Sequence, residues 1–259
     1  MTSRRFTVSL SLLFVWQLAA QPPTGMVFIP GGEYTRGRMY KLPDDGLKWF
    51  PELLKDDQPA RKLKISPFYL DAKESTIQQY AEFVSETKHR APYNWPAGKA
   101  DPKKLDHPVT AISWDDASEY CKWAGKRLPT EAEWEKAARG MIEGAQYPWG
   151  DRQPTNKDAR FDTVEGPGPV GKFAPNGFDL YDIAGNVWEW TGDWYARDYY
   201  GAAPEQDPKG PAAGQYKVLR GGSWADVSKY LRVAHRTWAR PAERGPNIGV
   251  RCAADFPRR

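Results

Sequence analysis

The sequence predicts an α+β fold with low regular secondary structure, and three observations carry that expectation. Three segments combine helical periodicity with their own start signals. Apolar residues elsewhere gather in runs of only a few residues. Turn formers and large aromatics are abundant, with 23 glycines, 23 prolines and 12 tryptophans in 259 residues. Such a chain is held by defined turns and aromatic anchors more than by long elements. An aromatic content of 14% argues against a disordered chain, and an apolar content of 40% is enough for a real core. One domain over residues 21–259 is expected, with no fixed-period internal repeat.

Residues 1–20 have the layout of a secretory signal peptide: Arg4 and Arg5, an apolar stretch from Phe6 to Trp16, then Ala19 and Ala20. The apolar run is too short to span a bilayer. Cleavage is expected after Ala20, and the residues after Arg5 fit ordinary secretion better than a twin-arginine signal. The first strand is expected at Met26 to Ile29. Thr76 with Gln79 forms a capping box ahead of a helix whose apolar face is Ile77, Tyr80, Phe83 and Val84. Ser113 opens a second helix, where Trp114, Ala117, Tyr120, Cys121 and Ala124 recur at helical spacing until Gly125. Thr130, preceded by Pro129 and followed by Glu133, caps a third that buries Trp134, Ala137 and Ala138 and ends at Gly140. From Met141 onward no stretch sustains either period for more than a few residues; short strands are expected at Lys217 to Leu219 and Gly249 to Cys252.

The formal charge of +4 falls to about +2 once Arg4 and Arg5 are removed, and both signs are interspersed. That balance points to no nucleic-acid partner. No segment after the signal is apolar enough to cross a membrane, so the mature chain is expected in the periplasm or secreted. In that oxidising setting Cys121 and Cys252 read as one long-range disulfide. Phosphate-loop, dinucleotide, HExxH, zinc and GxSxG patterns are all absent. His89, His107 and His235 stand too far apart to form a local metal motif.

Seven segments in order resemble the formylglycine-generating enzyme family, the sulfatase-modifying factors. They are Met26-Val-Phe-Ile-Pro-Gly-Gly-Glu33, Glu74-Ser-Thr-Ile-Gln-Gln-Tyr80, His107-Pro-Val-Thr-Ala-Ile-Ser-Trp114, Cys121 to Trp134, Asn176 to Trp190, Arg220-Gly-Gly-Ser-Trp224 and Gly249-Val-Arg-Cys-Ala-Ala-Asp255. The resemblance implies a C-type-lectin-like variant fold and pairs cysteines at the positions of Cys121 and Cys252. Family enzymes oxidise a cysteine of a client sulfatase to formylglycine, using copper held by two further cysteines. Laid onto this chain, those thiols fall at Asp226 and Leu231. A cuprous ion prefers thiolates, so copper is not expected here. The resemblance also implies calcium, held by the side chains of Asp182 and Glu189 and the carbonyls of Gly185 and Val187, donors of the hard type that calcium takes. The bland alternative is that Asp182 caps a turn and Glu189 pairs with an arginine. A second calcium loop near Asp158 to Glu165 is not expected, because Arg160 stands where the family has asparagine.

Trp188, Trp190, Trp194 and Tyr195 form an aromatic cluster, as core or as a cleft wall with Trp224. By resemblance Trp188, Ser223 and Trp224 inherit a binding role toward a client peptide. Asp226, His235 and Arg236 are polar candidates for acid, base or anion holder, or else satisfied structural groups. The expected function is an exported protein of this family type that binds a peptide, protein or small ligand without copper-thiolate oxidase activity. The rival is an enzyme of different chemistry on the same fold, such as a periplasmic tailoring oxidase or protein-modifying oxidoreductase.

Overall fold

A computed structural model describes residues 22–46 and 55–257; the expected signal peptide, residues 1–20, lies outside them. The three helices start where their caps require. In α1 (Ile77–Thr87) and α3 (Glu131–Arg139) the capping boxes are Thr76 with Gln79 and Thr130 with Glu133. In α2 (Trp114–Trp123) the partner of Ser113 is Asp116. Each box satisfies backbone N–H groups that a helix start leaves open. The last turns follow the glycine signals, with Gly140 at the cap of α3 and Gly125 at φ +70° just past α2. A single turn, α4 (Tyr199–Ala202), follows later in the chain.

Nine short strands make three small sheets among the described residues. Strand β1 (Met26–Ile29) pairs with β4 (Phe68–Asp71), which pairs with β9 (Ala253–Asp255), all antiparallel. A second sheet joins β2 (Gly32–Arg36) to β3 (Arg61–Ile65). The third has the order β7 (Thr237–Ala239), β6 (Lys217–Arg220), β5 (Trp188–Trp194), β8 (Ile248–Gly249), with β5 and β8 parallel. The expected strand from Gly249 to Cys252 is not continuous: Val250, Arg251 and Cys252 leave the ladder between β8 and β9. Arg251 turns inward there to meet Glu189. The seven-residue strand β5 lies in the region after Met141 where no periodicity is sustained, and its first four residues are all buried.

Two large apolar clusters and a smaller third form the core among the described residues. One gathers α1, α2, Trp188, Trp190 and both cysteines; the other gathers β3, β4, Trp134 of α3 and Leu180. Helix α3 is buried along its whole length because it lies between sheets. The Cys121 and Cys252 sulfurs are bonded across a separation of 131 residues, tying α2 to the segment before β9.

Candidate functional site

The Arg220-Gly-Gly-Ser-Trp224 segment leaves β6 through Gly221 and Gly222, at φ +100° and +78°. A Cβ on Gly222 would lie 3.0 Å from both Leu231 Cδ1 and Tyr230 O, so glycine is required for the following one-turn helix to close against the turn. Ser223, fully buried, donates its hydroxyl to Asp226 Oδ2 and accepts from Asn247 Nδ2 at 2.9 Å. Asp226 is half-buried. Leu231 is buried in a cluster with Tyr147, Ala159 and Ala184. The two positions onto which the resemblance lays the family thiols hold a hydrogen-bonded carboxylate and a hydrocarbon in a wall. Both cysteines of the chain are used in the disulfide.

Backbone bonds stitch the neighbouring residues to this turn. Trp188 N donates to Asn247 O and Trp224 N to Asn186 O, each at 2.9 Å. Trp188 is only 5% exposed and meets the rings of Tyr230 and His235. Trp224 is half-buried, and its buried Nε1 has no hydrogen-bond partner. Of the residues expected to bind, Trp224 thus presents surface while Trp188 and Ser223 support it from beneath. Trp190 belongs to the core and donates to Ile112 O; Trp194 faces the Lys217 ammonium, and Tyr195 stacks on Trp238.

The three polar candidates separate. Asp226 stays with Ser223. His235 lies against Trp188 and Tyr230, where burial first and then the charges of Arg232 and Arg220 push it well below the usual imidazole range, leaving it neutral at pH 7. Arg236 is directed elsewhere: its guanidinium grips both oxygens of Glu131, at 2.6 and 3.1 Å. That pair belongs to a buried network in which Glu135 accepts from Arg220, Arg139, Tyr200 and Gly37 N. Arg236 is thus placed in this network and away from Asp226.

The loop from Asp182 to Glu189 is wound tightly by left-handed residues: Asp182 at φ +52°, Gly185 at +85° and Asn186 at +57°. A Cβ on Gly185 would come within 2.6 Å of Arg160 O. Asp182 Oδ2 accepts from Gly171 N, whereas Asp182 Oδ1 is buried with no partner. Glu189 is gripped by Arg251 at 2.9 to 3.1 Å and by Trp134 Nε1 at 2.7 Å. Beside them Glu74, 1% exposed, accepts from Asn186 Nδ2 and Val187 N. Burial, followed by the charges of Asp182 and Glu189, raises Glu74 well above the carboxylate range, and burial raises Asp182 as well.

Among the described residues no group of three or more His, Cys, Asp or Glu is arranged to hold a metal ion, and the feature of this loop that bears on a cation is its charge balance. Three buried carboxylates adjoin one guanidinium, and one carboxylate oxygen has no donor, an arrangement that costs free energy unless a cation or proton completes it. Glu189 fits less well, since both its oxygens serve Arg251. In the Asp158 to Glu165 segment Arg160 donates to Gly166 O at 2.6 Å and to Glu165 at 3.0 Å, so a fixed positive charge already sits there. Asp158 is engaged by Arg152.

Sequence reasoning missed Glu74, Asn186, Asn247, Tyr230 and Arg251 as members of these clusters. Four of the five lie within or beside the quoted motifs, so their positions were visible, but not their partners.

Comparison with known proteins places the chain in context. The model of the sulfatase-modifying factor enzyme 1-like domain matches residues 15–256. The formylglycine-generating enzyme of Thermomonospora curvata is 36% identical over 89% of this chain and 93% of its own. The inactive C-alpha-formylglycine-generating enzyme 2 of Mus musculus is 32% identical over 95% and 93%. The solved structure of PvdO from Pseudomonas aeruginosa superposes with a TM-score of 0.73 at 28% identity, covering 89% of this chain and 94% of that one.

Proposed function

The chain belongs to the sulfatase-modifying factor family, with its C-type-lectin-like variant fold, and from that premise we propose that it is an exported binding protein without copper-thiolate oxidase chemistry. Its ligand is a peptide, protein or small molecule taken on the face around Trp224, Asp226 and Ser223. The observation that carries the reading is Leu231: a buried hydrocarbon stands where the second copper thiolate would be, and the chain has no cysteine outside the disulfide. The existence of a named inactive relative supports the reading that the fold outlives the chemistry.

Calcium belongs to the same proposal. Asp182, with carbonyls of Gly185 and Val187 and a lesser share from Glu189, would hold it and neutralise the carboxylate surplus beside Glu74. Its role is structural, because Asn186 and Val187 of that loop connect directly to Glu74 and to Trp224. The disulfide and residues 1–20 support export to the periplasm or beyond.

The test incubates purified protein with cuprous ion, oxygen and a cysteine peptide, and reads the peptide by intact mass. The expected result is an unmodified peptide and no tight copper binding. Aldehyde formation would overturn the proposal, and peptide modification independent of copper would establish the rival, an enzyme of different chemistry. Fractionation with N-terminal sequencing tests export; a mature chain beginning at Gln21 is expected.

A further inference from the structure

A cavity of about 840 Å³ opens between β3, the first turn of α3, the end of β5 and β9, and shares no residue with the Ser223–Asp226 face. That volume lies within the range of ordinary ligand pockets. Its charged lining is acidic: Glu133, Asp193, Asp207 and Asp255 face Arg127 and Lys209. Most of these charges are already committed. Arg127 is bound by Glu133 and Asp255, and Asp207 holds the backbone and hydroxyl of Ser66.

Asp193 differs. It is 2% exposed, and among the described residues its one hydrogen bond is taken by Oδ2 from Glu131 N at 2.8 Å. Oδ1 has no donor there, although the residue lines the cavity. A buried carboxyl group with one free oxygen in a cavity is completed either by a proton or by a donor that arrives from outside. One oxygen is too few for a divalent ion, which needs six or more. The acidic balance disfavours anions. Beside the polar Ser66 and Thr130, the wall has an apolar side of Leu128, Pro67 and Phe256, the last fixed against Phe28 and Tyr69 at 5.2 and 5.6 Å between ring centres.

We propose that this cavity binds an organic amine with an apolar body, its ammonium donating to Asp193 Oδ1. The environment of Asp193 sets the pH dependence. Burial, reinforced by Glu131 and Glu133 of α3 and opposed by Arg236, pushes it up to about 8. Tyr199 and Lys217 are the other titratable neighbours, and Arg127, Lys209, Asp207 and Asp255 complete the charges around the cavity. An arriving ammonium favours the ionised carboxylate, so below pH 8 binding releases a proton to solvent.

The probe is phenethylamine, titrated calorimetrically into the full chain, with phenethyl alcohol as the neutral control. Affinity should rise about tenfold per pH unit from 6 to 8 and level off above, because the free site must lose a proton before the amine binds. Asp193→Asn should lose at least about tenfold at pH 8.5, and its residual affinity should no longer vary with pH. Lys209→Glu changes an exposed side chain and should tighten binding severalfold by reversing a like charge at the rim. Equal binding of the alcohol, a flat pH profile in the wild type, or full affinity in folded Asp193→Asn would each overturn the site. Should Asp193→Asn fail to fold, unchanged affinity in Lys209→Glu overturns it instead.

Discussion

Two buried acidic regions of this molecule stand in contrast. Around α3, Glu131 and Glu135 are fully buried, yet the guanidiniums of Arg236, Arg220 and Arg139 more than offset desolvation. They hold Glu131 below its ordinary value and Glu135 at about 2. Around the Asp182–Glu189 loop, burial dominates: Glu74 and Asp182 are raised, Arg251 serves mainly Glu189, and one Asp182 oxygen has no donor. The difference lies in arginine supply. Where each carboxylate has its own guanidinium the region is self-contained in charge, although Arg139 Nη1 and Arg220 Nε find no acceptor there; where carboxylates outnumber cations, an outside charge is needed.

Removing one partner from the self-contained region should have the largest effect. Arg236→Met leaves Glu131 without its bidentate donor and should cost about 3 to 5 kcal/mol in denaturant unfolding. A cost below about 1 kcal/mol would show that Arg220 compensates and that the network is redundant. Cys121→Ser comes next, at about 2 to 5 kcal/mol, because the bridge closes a long loop. Identical melting of the wild type with and without reductant would show that the bridge contributes nothing.

The cation-deficient region should respond to calcium instead. EGTA should lower the melting temperature, and calcium in about hundredfold excess over its dissociation constant should stabilise by about 2.7 kcal/mol. Asp182→Asn should abolish that response while leaving the Glu131 region intact. Indifference of the wild type to EGTA would mean that protons, not a metal, balance Glu74 and Asp182.

A smaller effect concerns pH. Asp193 has a folded-state value of about 8, above the ordinary carboxylate value near 4. Its contribution is therefore complete at acid pH and lost as pH rises through about 8. The urea midpoint of the wild type should fall relative to Asp193→Asn between pH 5 and 9. Equal midpoints across that range would show that Asp193 titrates normally.

The sequence foretold local features and missed long-range ones. Helix starts were legible because a capping box spans only four residues, as at Thr76 and Thr130. Strand β5 was not, since its first four residues are all buried and show no alternation. Strands β2 and β3 carry charged residues on a two-stranded ribbon that a single bridge, Lys64 to Gln206, extends, a weak signal. At the candidate site the positions were readable and the partners were not. Glu189 was named as a metal ligand with arginine as the alternative partner, and nothing local could identify Arg251, 62 residues away. A still longer separation hid Arg236 from Glu131, which lies 105 residues earlier.

The place of β9 has a consequence for how the fold closes. Strand β4 receives its second neighbour only from residues 253–255, and Arg127 exchanges backbone bonds with Ala253 at the same point. Until those residues are in place, Phe68, Tyr69 and Leu70 keep an open sheet edge, and Cys121 has no partner. Closing the sheet and closing the bridge are thus a single event: Cys252 directly precedes β9, so whatever seats Ala253 against Leu70 also brings the two sulfurs together.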